Sequence, residues 1–140
     1  MRKVELFGAA LLFTATIAAV PAHAAATPVC GGLLSDWQNA TYTGMLAGEA
    51  GEMHSVTVRI PGDRVSVTTD THSWEARDLR VELREGELSW GSAVPDRSFT
   101  QTLRMPLCTA GSTEVVAAEF IAESSTLSGG STAFGWVVRA

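Results

Sequence analysis

After Lys3 the chain contains no lysine, and after Val20 it has no apolar run long enough to cross a bilayer as a helix. It lacks the Cys-x-x-Cys spacing that lowers a thiol pKa, so a reactive thiol pair has no sequence basis. It also lacks Gly-x-Ser-x-Gly and any convincing Ser/His/Asp set, which removes the usual hydrolase nucleophiles. No glycine-rich loop leads into a helix, so nothing cradles a phosphate. Indeed no stretch holds a helical period of useful length. Basic charge is scarce too: beyond residue 24 there are 8 arginines against 14 acidic groups, a net of −6. A dispersed negative surface argues against nucleic acid and against anionic membrane as partners.

What is present begins with a signal for export. Arg2 and Lys3 precede an apolar run from Phe7 to Val20, and Ala22 and Ala24 stand where a signal peptidase reads small residues. Residues 1–24 are therefore expected to be a cleaved signal peptide, with cut after Ala24, and the mature chain is expected in the periplasm or secreted. Its length makes a single domain. Residues 25–40 form a lead segment and residues 41–140 the domain proper. Two cysteines in an exported chain imply one disulfide, Cys30 to Cys108, stapling the lead to the domain. Closing so long a loop contributes roughly 4 kcal/mol in the chain-entropy account.

The clearest stretch runs from Asp78 to Trp90. Leu79, Val81 and Leu83 alternate with Arg80, Glu82 and Arg84, and after Glu85 and Gly86 the alternation resumes at Leu88 and Trp90. A period of two puts one set of side chains in a core and the other in water. With Glu85 and Gly86 as a two-residue turn, Leu83 faces Leu88, Val81 faces Trp90 and Arg84 faces Glu87, which describes a β-hairpin. Similar runs lie at 41–47, 53–60, 65–69, 98–107, 114–122 and 133–139, each joined to the next by a short turn bearing Gly, Pro or Asp. Leu33 to Trp37 reads as one helical turn or the start of a strand. Short links force antiparallel neighbours. The expected fold is all-β, an eight-stranded up-and-down meander barrel, with a two-sheet sandwich as the alternative.

Trp37 before the first strand and Arg139 on the last resemble the pairing in the calycin group of small barrels (lipocalins, avidins, bacterial protease inhibitors). There a Trp near the first strand packs close to a basic residue of the last. The resemblance implies a lipocalin-like barrel. It departs from the lipocalin Gly-x-Trp, which is Ser35, Asp36, Trp37 here, and no biotin motif is present, so it carries no functional residue across. The rhythm from Tyr42 to Arg139 is also similar to the accessory β-domain that precedes the hydrolase domain in some exported bacterial enzymes.

Metal ligation is the first chemistry to weigh. His54, Asp70 and His72 are candidate ligands, but pairing Ile60 with Val65 places His54 opposite Thr71, with Asp70 and His72 on the other side. No metal and no cofactor are expected. Glu82, Glu85 and Glu87 belong to a charged rim, and Glu119 to a surface ion pair with Arg104.

Two groupings remain. Tyr42, Trp90, Phe99, Phe120, Phe134 and Trp136 are expected to point inward, with Gln101 as the single polar residue on that face. Such a lining suits a small apolar or amphipathic ligand held in the interior and oriented by Gln101; the competing account is that the rings simply fill a narrow bore. The second grouping is Asp70, His72, Trp74 and Arg77. Parity puts Trp74 with Asp78 and Arg80, on the polar face. Either the chain bulges or turns and carries Trp74 inward, or Trp74 is exposed and centres a surface for a protein partner. The leading expectation is thus a ligand-binding barrel. An inhibitor or accessory subunit acting through the Trp74 surface comes second, and an isomerase or cyclase on a barrel scaffold third.

Overall fold

The computed structural model describes residues 27–140; the expected signal peptide and its cleavage point lie outside the described residues. After a 3-10 turn at Leu34–Asp36 come β1 (Ala40–Gly48), β2 (Met53–Ile60) and β3 (Arg64–Thr69). A second 3-10 turn, His72–Trp74, leads to β4 (Ala76–Arg80), β5 (Glu82–Arg84) and β6 (Glu87–Val94). β7 (Arg97–Cys108), β8 (Val115–Thr126) and β9 (Gly129–Arg139) complete the sheet. Every pairing is antiparallel, and the strand order is β4-β3-β2-β1-β9-β8-β7-β6-β5. The outermost two, β4 and β5, are consecutive in the chain with only Val81 between them. One stretch of chain therefore pairs with β3 by its first half and with β6 by its second, and the meander becomes a nearly closed barrel.

There are nine strands rather than the expected eight, because the single strand anticipated over 75–84 is divided. The cause lies in the backbone. Asp78 adopts φ +53°, and the β3–β4 ladder slips there, with Val65 opposite Leu79 but Ser66 opposite Arg77. Asp78 is the extra residue of a β-bulge, and such a residue reverses the alternation of everything before it. Arg64 holds the bulge by donating to the Asp78 carbonyl at 2.8 Å. Val81 N–H still bonds toward the β3 side, donating to Asp63 O, and from Glu82 onward the chain pairs with β6 instead, which divides the strand. The hairpin that follows has the expected form: Leu83 opposite Leu88, Arg84 opposite Glu87, and positive φ at both Glu85 and Gly86, as a type I′ turn requires.

Inside, the barrel is filled. Tyr42, Trp90 and Phe120 are buried as expected, Phe99 is half-buried, and Trp37, Leu46, Val58, Val67, Leu88 and Leu103 pack among them. Phe134 and Trp136 are a correction: they stand on the outer wall, 53% and 46% exposed. The inward positions of β9 are instead Ala133, Gly135 and Val137. Gly135 lies opposite Phe120, and a Cβ built on it would overlap the Met45 carbonyl of β1; one built on Gly44 would overlap the Trp136 carbonyl. A narrow bore needs small residues beside large ones, so β9 gives up its inward face and carries its rings outside.

One end of the barrel is shut by the lead segment. Trp37, fully buried, donates from its indole N–H to Gly31 O, and Tyr42 packs against it with ring centroids 6.5 Å apart. Asp36 accepts from Leu33 N–H and from the Thr113 hydroxyl, tying the 3-10 turn to the β7–β8 loop. The Cys30–Cys108 disulfide forms as expected and fastens the same end. Arg139 donates to Gln38 O and pairs with Glu114.

Two measurements test this packing. Gly44→Ala should cost about 1–3 kcal/mol in urea unfolding, because the added methyl meets backbone that cannot move aside without parting β1 from β9; an unchanged midpoint would remove the close approach. Tyr42, the chain's one tyrosine, donates its phenol to Val115 O, and burial pushes its pKa up to about 12, with Arg139 opposing and Glu114 assisting. Folding keeps this contribution in full below about pH 10 and loses it as pH rises toward about 12, a change of about 2–3 kcal/mol. Tyrosinate absorbance should therefore titrate near pH 12 in the native protein and near 10 in urea.

Candidate functional site

The other end of the barrel has no such plug. It is covered by the 3-10 turn His72–Trp74, which is drawn down by its own tryptophan. Trp74 is only 8% exposed and belongs to the core. This corrects the expected Trp74-centred surface: the bulge at Asp78 reverses the parity of Ala76 and the residues before it, so Trp74 turns inward.

Gln101, 1% exposed, is the most deeply buried polar residue among the described residues, and its amide joins three elements. Its Oε1 accepts from the Trp90 indole N–H at 2.7 Å, and its Nε2 donates to the Trp74 carbonyl. The amide holds β6 and the 3-10 turn to β7 and spans the bore between them. Trp90 continues the wall against Phe120, ring centroids 6.1 Å apart. With one donor and one acceptor of the amide engaged by protein, Gln101 acts first as a clamp.

Above this layer the inward positions turn polar. Ser92 continues the inward row of Leu88 and Trp90, and Ser124 continues that of Phe120 and Ala122. With Phe99, Val94, Arg97 and the backbone of the 3-10 turn they enclose a cleft of about 530 Å³. It is more enclosed than the grooves on the outer wall beside Arg64 and Arg77, beside Glu49 and Glu123, or beside Asn39 and Arg59. Phe99 supplies apolar surface, and Ser92 and Ser124 line the sides from the inner face of β6 and β8. At the rim Glu75 accepts from Arg77 at 2.9 Å and lies 3.6 Å from His72; the Arg77 hydrogen bond, with help from His72, holds its carboxyl below the usual carboxylate range. Arg97 makes no ion pair among the described residues.

The residues expected to bind ligand are thus divided. Phe99 and Gln101 sit at and below the cleft, Trp90 and Phe120 form the packed layer beneath, Tyr42 belongs to the shut end, and Phe134 and Trp136 face outward. Of the second grouping, His72 borders the cleft and Arg77 steadies its rim, while Trp74 lies under it.

Asp70 goes elsewhere than its strand parity implied. β3 ends at Thr69, and the chain turns there, so Asp70 reaches His54 Nδ1 at 3.2 Å while Glu52 approaches Nε2 at 3.7 Å. The carboxylates address opposite nitrogens of one ring. Among the described residues no His, Cys, Asp and Glu converge as metal ligands. Arg104 and Glu119 make the expected outer ion pair, at 2.8 Å and directly opposite each other. Ser92, Ser124, Arg97 and Glu75 were missed in the sequence, although extending the inward parity of β6 and β8 by one step would have found the two serines.

Comparison of the chain with protein-family models, with curated proteins and with solved structures found no match.

Gln101→Leu should leave the Trp90 N–H and the Trp74 carbonyl without partners in the core, at a cost of about 2–4 kcal/mol. Equilibrium unfolding would show it as a lowered midpoint, and a red shift of tryptophan emission in the native state should accompany it as the 3-10 turn loosens. An unchanged midpoint would mean that the amide is not a clamp.

Proposed function

We propose that the protein is an exported calycin-like barrel that holds a small amphipathic molecule in the cleft at its open end. The observation that carries this reading is the sharp change in the bore at Gln101: below it every inward position is packed, and above it an apolar ring is surrounded by hydroxyls. A few convergent polar groups around an apolar floor is the construction of small-molecule sites. The molecule would lay its rings or branched chain on Phe99, meet Ser92 and Ser124 with hydroxyl or carbonyl groups, and set an anionic end against Arg97. The interior binding mode expected from the aromatic lining is thereby moved up to the mouth.

Export rests on the features of residues 1–24 and agrees with the disulfide, which persists in oxidising compartments. The calycin-like reading is supported by the meander order and by Trp37 and Arg139 both lying at the shut end.

Anilinonaphthalene sulfonate, a fused ring system with one anionic group, is a suitable first probe. Its fluorescence should rise on binding with a dissociation constant of roughly 10 µM or below. Ser124→Trp, which fills the cleft, should weaken binding by roughly tenfold or more, and Arg97→Ala by a smaller factor. Trp136→Ser on the outer wall should leave it unchanged. Binding lost in Trp136→Ser but kept in Ser124→Trp would put the site on the wall and overturn the proposal.

A further inference from the structure

The outer face of β1, β9 and β8 carries a run of half-exposed apolar side chains. Phe134 of β9 lies opposite Ala47 of β1 and Ile121 of β8, and Met53 of β2 lies beyond Ala47. Two residues on, Trp136 is opposite Glu119 and stands beside the Met45 backbone, and after that Val138 lies between Thr43 and Ala117. Met45, Met53, Phe134, Trp136 and Val138 are each about half exposed and form one continuous apolar stripe. At about 200 Å² for a fully exposed large side chain, these five present about 500 Å², at the upper end of what a monomer carries as a single patch.

The charges around the stripe indicate what covers it. Next to Trp136, Glu119 is already neutralised by Arg104 at 2.8 Å. The flanks carry Arg59, on β2 toward the shut end, and Glu123, on β8 toward the mouth. Both are exposed, and neither makes an ion pair among the described residues. They lie on opposite sides of the stripe and at opposite ends of it. A two-fold axis lying in this face and crossing the stripe at Trp136, perpendicular to the line from Arg59 to Glu123, exchanges both the flanks and the ends, so Arg59 of each copy would meet Glu123 of the other while Trp136 packs near the axis. Two copies of the stripe alone would bury about 1,000 Å² in total, the threshold of a specific interface. The surface is self-complementary in apolar area and in charge.

We infer that this wall is the interface of a homodimer, two barrels packed side by side through β1, β9 and β8. The mouths remain open in such a pair, since the cleft residues lie on the inner face of their strands.

Sedimentation of the purified protein should give twice the chain mass at tens of micromolar. Trp136→Ser and Phe134→Ser, both outside the core and checked for native circular dichroism, should each raise the dimer dissociation constant by roughly 100-fold. Arg59→Glu and Glu123→Arg should each weaken the pair by roughly tenfold, and the double variant should restore it. A monomer up to roughly 0.1 mM would overturn the inference, as would a dimer insensitive to Trp136→Ser. Failure of the double variant to recover would overturn the two-fold arrangement, and a monomer that floats with phosphatidylcholine vesicles would assign the wall to a lipid surface instead.

Discussion

A closed sheet this small offers its interior to very few large side chains, and that limit governs the rest of the molecule. Each bulky inward residue must be answered by a small one on a neighbouring strand. Phe120 is answered by Gly135, and Gly44 and Gly135 let the backbones of β1 and β9 come close. Once the bore is filled by Trp37, Tyr42, Trp90, Trp74 and Phe120, no room is left for more rings. The aromatic residues of β9 then have only the outside to occupy. The packed middle, the polar mouth and the apolar wall are consequences of the same shortage of space.

The polar groups admitted to this interior are placed where they join elements rather than where they meet solvent. Gln101 ties two tryptophan-bearing segments to β7, and Asp36 fastens the shut end to the β7–β8 loop. A buried amide with partners on both sides specifies one arrangement of its neighbours, because any slip leaves a donor or acceptor unpaired at a cost of about 1–3 kcal/mol. The tryptophans gain orientation in the same way. Trp37 and Trp90 each spend their indole N–H on one acceptor, so their large surfaces pack in one pose.

The regularly alternating part of the fold was legible in the sequence. The hairpin at Glu85 and Gly86 and the register of β2 with β3 follow from parity and turn chemistry, and they hold residue for residue where the ladders run. What parity could not reach were the places where the period breaks. One bulge residue, Asp78, inverted the faces of Arg77, Ala76 and Trp74 and hid Trp74 in the core; Asp tolerates a positive φ, but an Asp inside an alternating run does not mark itself as the extra residue. β9 failed for a different reason. Ala133, Gly135 and Val137 alternate with Phe134, Trp136 and Val138, so both faces are apolar, and only the bulk already contributed by β8 and β1 decides between them. The candidate site was half legible: Phe99 and Gln101 stood out as inward residues, while the serines that make the mouth polar looked like ordinary strand ends.

The two ends of the barrel also differ in how they are held, and this sets where the structure can breathe. At the shut end a covalent bond joins Cys30 to β7, so the Trp37 plug stays within reach of its socket even when the hydrogen bonds around it open. At the other end the cover is a three-residue turn held by one tryptophan and one amide. It borders the seam, where β5 adds only three paired residues to close the sheet. Local opening takes the path with the fewest contacts to break. By that rule the mouth and the seam open before the shut end, which gives the molecule a fixed base and a yielding lip.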